Sequence, residues 1–124
     1  MYYASLKKNE NVANACVIRT EREVEYLIFA STTQLLVGSE VANDRTLRID
    51  ALSRNIKLWQ ALYSDLSGGG NSLPNELRAG LISLAFFSIA ESTRLLVNRE
   101  PLTEIVEINR SIMRGLRRKS QLKS

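Results

Sequence analysis

No histidine occurs among these 124 residues, so the commonest general base and metal ligand is missing. There is one cysteine, Cys16, which excludes an internal disulfide and leaves no second thiol for zinc-type spacing. It is most simply a small buried residue. The acidic side chains are scattered among basic ones, and no pair stands out as an acid/base dyad. Together these absences argue against an enzyme and imply no metal or cofactor. Long apolar runs are missing too. The longest uncharged apolar stretch, Ala79 to Ala90, spans 12 residues, against the roughly twenty that a membrane helix needs. The opening MYYASLKKN has no basic region followed by an apolar one, so it does not read as a signal peptide. A cytoplasmic protein without membrane insertion is the expectation.

Charge is present but unevenly spread. The chain carries 17 basic and 13 acidic residues, a net charge of +4. Residues 1–66 balance, and the excess sits at the end, where RSIMRGLRRKSQLKS holds Arg110, Arg114, Arg117, Arg118, Lys119 and Lys123 and no acid. Such a tail suits phosphate, acidic lipid or an acidic protein, and equally a solvated helix end with cations placed well for the dipole.

Helical periodicity dominates and strand signals are nearly absent. Residues 1–10 read as a flexible segment. From Asn11 to Gly38, Val17, Val24, Ile28 and Leu35 share one face, with Val12, Leu27 and Leu36 beside it. Thr20 and Glu23 have capping-box spacing, which allows a separate short N-terminal helix before them. Gly38 fits a helix stop. A second helix should run from the cap Asp44 to Ser67. Ile49, Leu52, Ile56, Trp59, Tyr63 and Leu66 form its seam, and Ala51, Leu58 and Leu62 form a second apolar line. Gly68-Gly69-Gly70 lacks the lysine and hydroxyl of a phosphate loop and reads as a connection. Pro74 opens a third helix reaching about Asn98, with Ser72 as a candidate cap. Its stretch Ala79–Ala90 is apolar nearly all round, the mark of a helix buried by several neighbours. Pro101 opens a fourth, faced by Leu102, Ile105, Ile108, Ile112 and Leu116 and ending near Gly115 or soon after. The fold class is therefore all-α: an antiparallel bundle of four main helices, in one domain over residues 11–116, with a basic tail over 117–124.

Several elements fall in a distinctive order: Leu58-Trp59, Asp65-Leu66, Leu73-Pro74, Leu77-Arg78-Ala79, Leu81-Ile82-Ser83-Leu84, and the closing Glu107-Ile108-Asn109, Ile112 and Gly115-Leu116. This order and spacing resembles the FlaF family of bacterial flagellar biosynthesis regulators, well over about residues 45–116 and weakly over 1–44. Phe86-Phe87 departs from the family, where a tryptophan is more usual. The resemblance implies a non-enzymatic protein that binds flagellin in the cytoplasm, assists its secretion and couples secretion to flagellin synthesis. It would act beside a second regulator, FlbT, and the flagellar export apparatus.

A helix with two apolar stripes can shelter a terminal amphipathic helix of flagellin in a groove. Groove candidates are Leu58 and Leu62, which lie off the seam, and Trp59, Arg78, Phe86 and Phe87. Each has a plainer reading. Trp59 sits on the seam and suits the core. One of Phe86 and Phe87 should be core, and Arg78 should pair with Asp65 or Glu76. Tyr2 and Tyr3 read either as part of a loose end or as a cover lying in the groove until flagellin displaces it. Two other functions stay open: RNA binding to flagellin messenger RNA through the basic tail, and a self-associating structural bundle. Direct nucleic-acid contact is the weaker, since no exposed aromatic residue accompanies the tail.

Overall fold

A computed structural model describes residues 21–122, with side chains described between residues 23 and 117. Tyr2, Tyr3, Cys16, Thr20, Arg118, Lys119 and Lys123, and the short N-terminal helix that the sequence allows, lie outside the described main-chain or side-chain residues. Four helices follow one another: α1 Glu21–Ala42, α2 Arg45–Ser67, α3 Asn75–Leu95 and α4 Thr103–Leu122. No strand occurs among the described residues. The start of α2 meets the end of α3, and the start of α4 meets the end of α1, so successive helices run antiparallel. α1 packs on α2 and α4, and α2 on α3. The contact of α3 with α4 is slight.

The local signals explain most boundaries. Asp44 caps α2 by accepting from the Leu47 N–H at 3.0 Å. Gly38, expected to stop α1, lies inside it instead. Leu36 and Ser39 on either side are buried, and the Ser39 hydroxyl bonds back to the Leu36 carbonyl, so packing carries the helix through the glycine. The stop falls at Asn43, whose φ of 51° takes the left-handed turn that asparagine tolerates. The Asn43 and Asp44 N–H groups then close on the Glu40 and Ser39 carbonyls, as in a Schellman end. Pro74 precedes the first residue of α3 as expected, but Ser72 is not its cap. Asn71 orders that turn by accepting from the Leu73 N–H. Helix α3 ends at Leu95, short of Asn98, and α4 runs past Gly115 to Leu122.

The centre of the bundle is a tryptophan tied to a line of amides. Trp59 is fully buried, and Phe29 from α1 meets it edge-to-face at 5.6 Å. Its indole N–H donates to Asn109 Oδ1 of α4, Asn109 Nδ2 donates to Asn55 Oδ1 of α2, and Asn55 Nδ2 donates to Ser92 Oγ of α3, each at 2.9 Å. All four side chains are buried. Around them lie two apolar clusters. One gathers Leu36, Leu52, Leu95, Leu102 and Ile105, the other Ile28, Phe29, Leu58, Trp59 and Ala85.

Two expectations about α3 change. It is not enclosed by several neighbours, and neither phenylalanine is core: Phe86 is 58% exposed and Phe87 42%. The buried line of α3 is Ala85, Ser88, Ser92 and Leu95, mostly small residues that seat it on α2. Leu84 and Ile89 pack partly buried against the core, whereas Leu77, Phe86 and Phe87 are exposed, with Phe86 resting on Tyr63 at 5.0 Å. In α1, Ile28 is buried as its face predicts, Phe29 and Leu36 join it in the core, and Leu35 is exposed.

Because each amide in the buried line uses both its ends, removing Asn109 strands the indole N–H and Asn55 Oδ1 together. Asn109→Ala should lower unfolding stability by about 2–4 kcal/mol in urea titration. The Asn55→Ala/Asn109→Ala pair should cost less than the sum of its single variants, since the second change removes a group already unpaired.

Candidate protein-binding cleft

The two ends of the bundle are built differently. At one end polar groups fasten the helices together. Arg48 Nη2 donates to the carbonyls of Leu95, Asn98 and Glu100 at 3.3, 3.0 and 2.8 Å, closing the C-terminus of α3. Glu40 accepts from the Leu102 N–H at 2.8 Å, supplying from α1 a cap for α4. Arg94 bridges Glu91 and Glu100 at 2.8 and 2.7 Å beside this junction.

At the other end no such fastening joins α3 to α4, and a cleft of about 460 Å³ opens there. Leu73 lines it from the turn before α3, Leu77 and Leu81 from the start of α3, and Ser111, Ile112, Gly115 and Leu116 from α4. Phe29, Leu62 and Leu66 complete it from α1 and α2. The wall is mainly aliphatic because these positions follow helical spacing: 77 and 81 on α3, 112 and 116 on α4, 62 and 66 on α2. Leu77 stays exposed, so apolar surface remains in contact with water. Gly115 adds room, since a Cβ there would meet nothing within 4 Å.

Two carboxylates, Glu25 and Asp65, stand in this cleft, and both also line a small adjoining void with Leu58 and Ala61. No cation pairs with either among the described residues. Burial pushes the Glu25 carboxyl above the usual carboxylate range, and the nearby Asp65 charge adds to the shift. Asn71 Nδ2 lies 3.5 Å from the Asp65 carboxylate.

A second surface feature is a shallow notch of about 140 Å³ between α1 and α4, lined by Tyr26, Arg110, Met113, Arg114 and Arg117. Arg110 is held by Glu107 at 3.1 Å, and Arg114 by the Ser111 hydroxyl at 3.1 Å. Tyr26 supplies an aromatic side chain beside the basic residues, which the sequence reading did not place there.

Of the expected groove residues only Leu62 lines the cleft. Leu58 is 1% exposed and Trp59 is buried, so neither presents its side chain to a groove. Being off the heptad seam does not expose Leu58, because α2 is covered on both stripes, by α1 on one and α3 on the other. Truncating it would be a core deletion, about 2–5 kcal/mol. Arg78 pairs with neither Asp65 nor Glu76. Its Nη2 donates to Asn75 Oδ1 at 3.1 Å. Phe86 and Phe87 are exposed on α3 but do not line the cleft. Sequence reasoning named none of the other cleft residues as groove candidates, among them Glu25, Phe29, Asp65, Leu77, Leu81 and Ile112. The signal available was Leu77 and Leu81, one turn apart on α3, with Leu73 in the turn before it.

The family sequence model described as flagellar protein FlaF matches residues 7–116. The chain belongs to the FlaF family of flagellar proteins. The match includes all of the cleft and the buried amide line, and it extends into the N-terminal third, where the sequence resemblance was weak. No curated protein and no solved structure matches the chain. No helix among the described residues is long and apolar enough to cross a membrane. No acidic or thiol cluster that could hold a metal occurs among them either.

Glu25 gives the cleft a measurable signature. An acid whose folded pKa is raised destabilises the fold when ionised. That penalty is absent below its unfolded pKa and develops as pH rises through the folded one. Glu25→Gln should therefore raise the melting temperature at pH 7 and leave it unchanged near pH 3, as read by circular dichroism.

Proposed function

We propose that this FlaF-family chain is a non-enzymatic flagellar biosynthesis protein that binds flagellin in the cytoplasm through a terminal amphipathic helix. In this reading it assists flagellin secretion and couples secretion to flagellin synthesis, with FlbT and the export apparatus as further partners. The observation that carries the reading is the leucine-lined cleft between α3 and α4. An aliphatic recess bounded by helices suits one helix with apolar anchors at i, i+3/i+4 and i+7. Flagellin ends remain unpaired until they pack in the filament, and covering their apolar stripe would remove an aggregation hazard. The weak contact of α3 with α4 lets the cleft adjust to its occupant, whereas the fastened end would hold the bundle together as it does so.

A second reading draws on the basic notch. Arg110, Arg114 and Arg117 around Tyr26 would suit the backbone and a base of single-stranded RNA. Such binding would weaken steeply with salt and with loss of these arginines. Flagellin binding through the cleft would survive their replacement.

Gly115→Leu tests the cleft with little risk to the fold, because it fills open space and replaces glycine inside a helix, a change worth up to about 1 kcal/mol in helix preference. Calorimetry with flagellin should give at least a tenfold loss of affinity for Gly115→Leu and for Leu77→Ser, with melting temperatures within a few degrees of the parent. Undiminished affinity in both variants would overturn the cleft as the flagellin site. Deleting each flagellin end in turn should locate the segment that it holds.

A further inference from the structure

Two carboxylates stand at the edge of the apolar recess, Glu25 half-buried and Asp65 exposed, and an occupant of that recess would take both out of water. Glu25 lies one turn before Phe29, and Asp65 one turn after Ala61 and beside Leu66, so both acids rise from the α1–α2 wall of the cleft. Their mutual repulsion is not relieved by any cation among the described residues. The neighbouring polar side chains of the wall are Asn71, Ser72 and Ser111, which are uncharged. Arg110, Arg114 and Arg117 line a different recess, and Arg78 bonds to Asn75. A wholly aliphatic occupant would bury these carboxylates further and leave them unpaired, at a cost that opposes binding. An occupant carrying a lysine or arginine would neutralise them and gain charge-assisted hydrogen bonds in a poorly hydrated site.

We infer that Glu25 and Asp65 form an acidic clamp that selects, among amphipathic helices, one bearing a lysine or arginine about one turn from its apolar anchors. The inference rests on the cleft being the flagellin site and adds to it the chemistry that decides which helix enters. The aliphatic wall between α3 and α4 receives the anchors, and the acid pair on the α1–α2 side receives the cation. Specificity of this kind comes as much from the penalty on the wrong occupant as from the gain on the right one. A helix whose charged residues are all acidic would be refused by like-charge repulsion.

The test uses the full chain and flagellin, with calorimetry at two salt concentrations. The Glu25→Gln/Asp65→Asn double variant should bind about tenfold more weakly at low salt, and its affinity should lose most of its salt dependence. Asp65→Lys should weaken binding further. A flagellin variant with one terminal-helix lysine or arginine changed to glutamate should restore binding to Asp65→Lys while binding the parent chain poorly. Such reciprocal rescue requires the two groups to face each other. If Leu77→Ser abolishes binding while the double variant keeps both affinity and salt dependence, the clamp is overturned and the cleft stands. If Leu77→Ser and the double variant both bind as the parent does, the cleft itself fails and the clamp fails with it. Should the double variant instead lose self-association on a sizing column, with flagellin affinity intact, the counter-charge belongs to a second copy and the inference is wrong.

Discussion

A single N–H sets the direction of the hydrogen-bonded line through this bundle. The indole nitrogen of Trp59 can only donate, so the side chain that meets it must offer oxygen. That requirement turns Asn109 to present Oδ1 to the indole and its amide nitrogen to Asn55. Asn55 must then accept from Asn109 and donate onward to Ser92. Three helices are thereby placed at one level, and Phe29 brings the fourth onto the tryptophan ring. Hydrophobic contact alone would permit the helices to slide or rotate past one another, because leucine against leucine is nearly as good one turn away. A buried line in which each amide has one satisfying orientation does not permit it. The apolar clusters on either side supply most of the stabilisation, at about 1.5–3 kcal/mol for each large side chain fully buried. The amides determine the arrangement in which that burial occurs.

From this central level the two ends diverge. Towards the α1–α2 turn, Arg48 and Glu40 satisfy helix ends on neighbouring segments, so chain termini that would otherwise need water are closed by protein groups. Towards the α2–α3 connection, Gly68-Gly69-Gly70 and the turn at Asn71 let α3 begin away from α4. The buried residues of α3 confirm the consequence, since they lie from Ala85 onward and none lies before it. The cleft is therefore a product of the connection and of where small residues fall on α3. It does not arise from a missing side chain in the core.

The number, order and direction of the helices could be read from periodicity, the cap at Asp44, the glycine run and Pro74. Family membership could be read from the spacing of short motifs that are individually weak. The placement of particular side chains could not be read so well. Leu58 and Leu62 share one stripe, yet one is core and the other lines a cleft. Apolarity alone puts one of Phe86 and Phe87 in the core, yet both are exposed, because burial is decided by what the neighbours have room for. Asn109 stood out only as part of a short motif and Asn55 not at all, since no local signal marks an asparagine whose partner lies 54 residues away. Gly38 showed the same limit at the level of local structure: a residue with a strong tendency to end helices was overridden by burial of Leu36 and Ser39 beside it.

The division between a fixed end and an open one also bears on how such a small protein could hold a helix without losing its own fold. Separating α3 from α4 at the cleft would break no hydrogen bond of the buried line, because Ser92 lies near the other end of α3 and is joined to Asn55 of α2. It would also leave the Arg48 contacts intact, since these hold the C-terminus of α3. Movement at the first two turns of α3 therefore works against few native interactions, and the same movement at its last two turns would work against many. Local opening of that kind is low in cost where buried contacts are sparse and high where they are dense. Binding can then draw on the exposed leucines of α3 while the tryptophan level keeps the helices in register. The polar line is in this sense a condition for the cleft: without a separate device fixing the bundle, a weak α3–α4 contact would loosen the whole fold and not only one end of it.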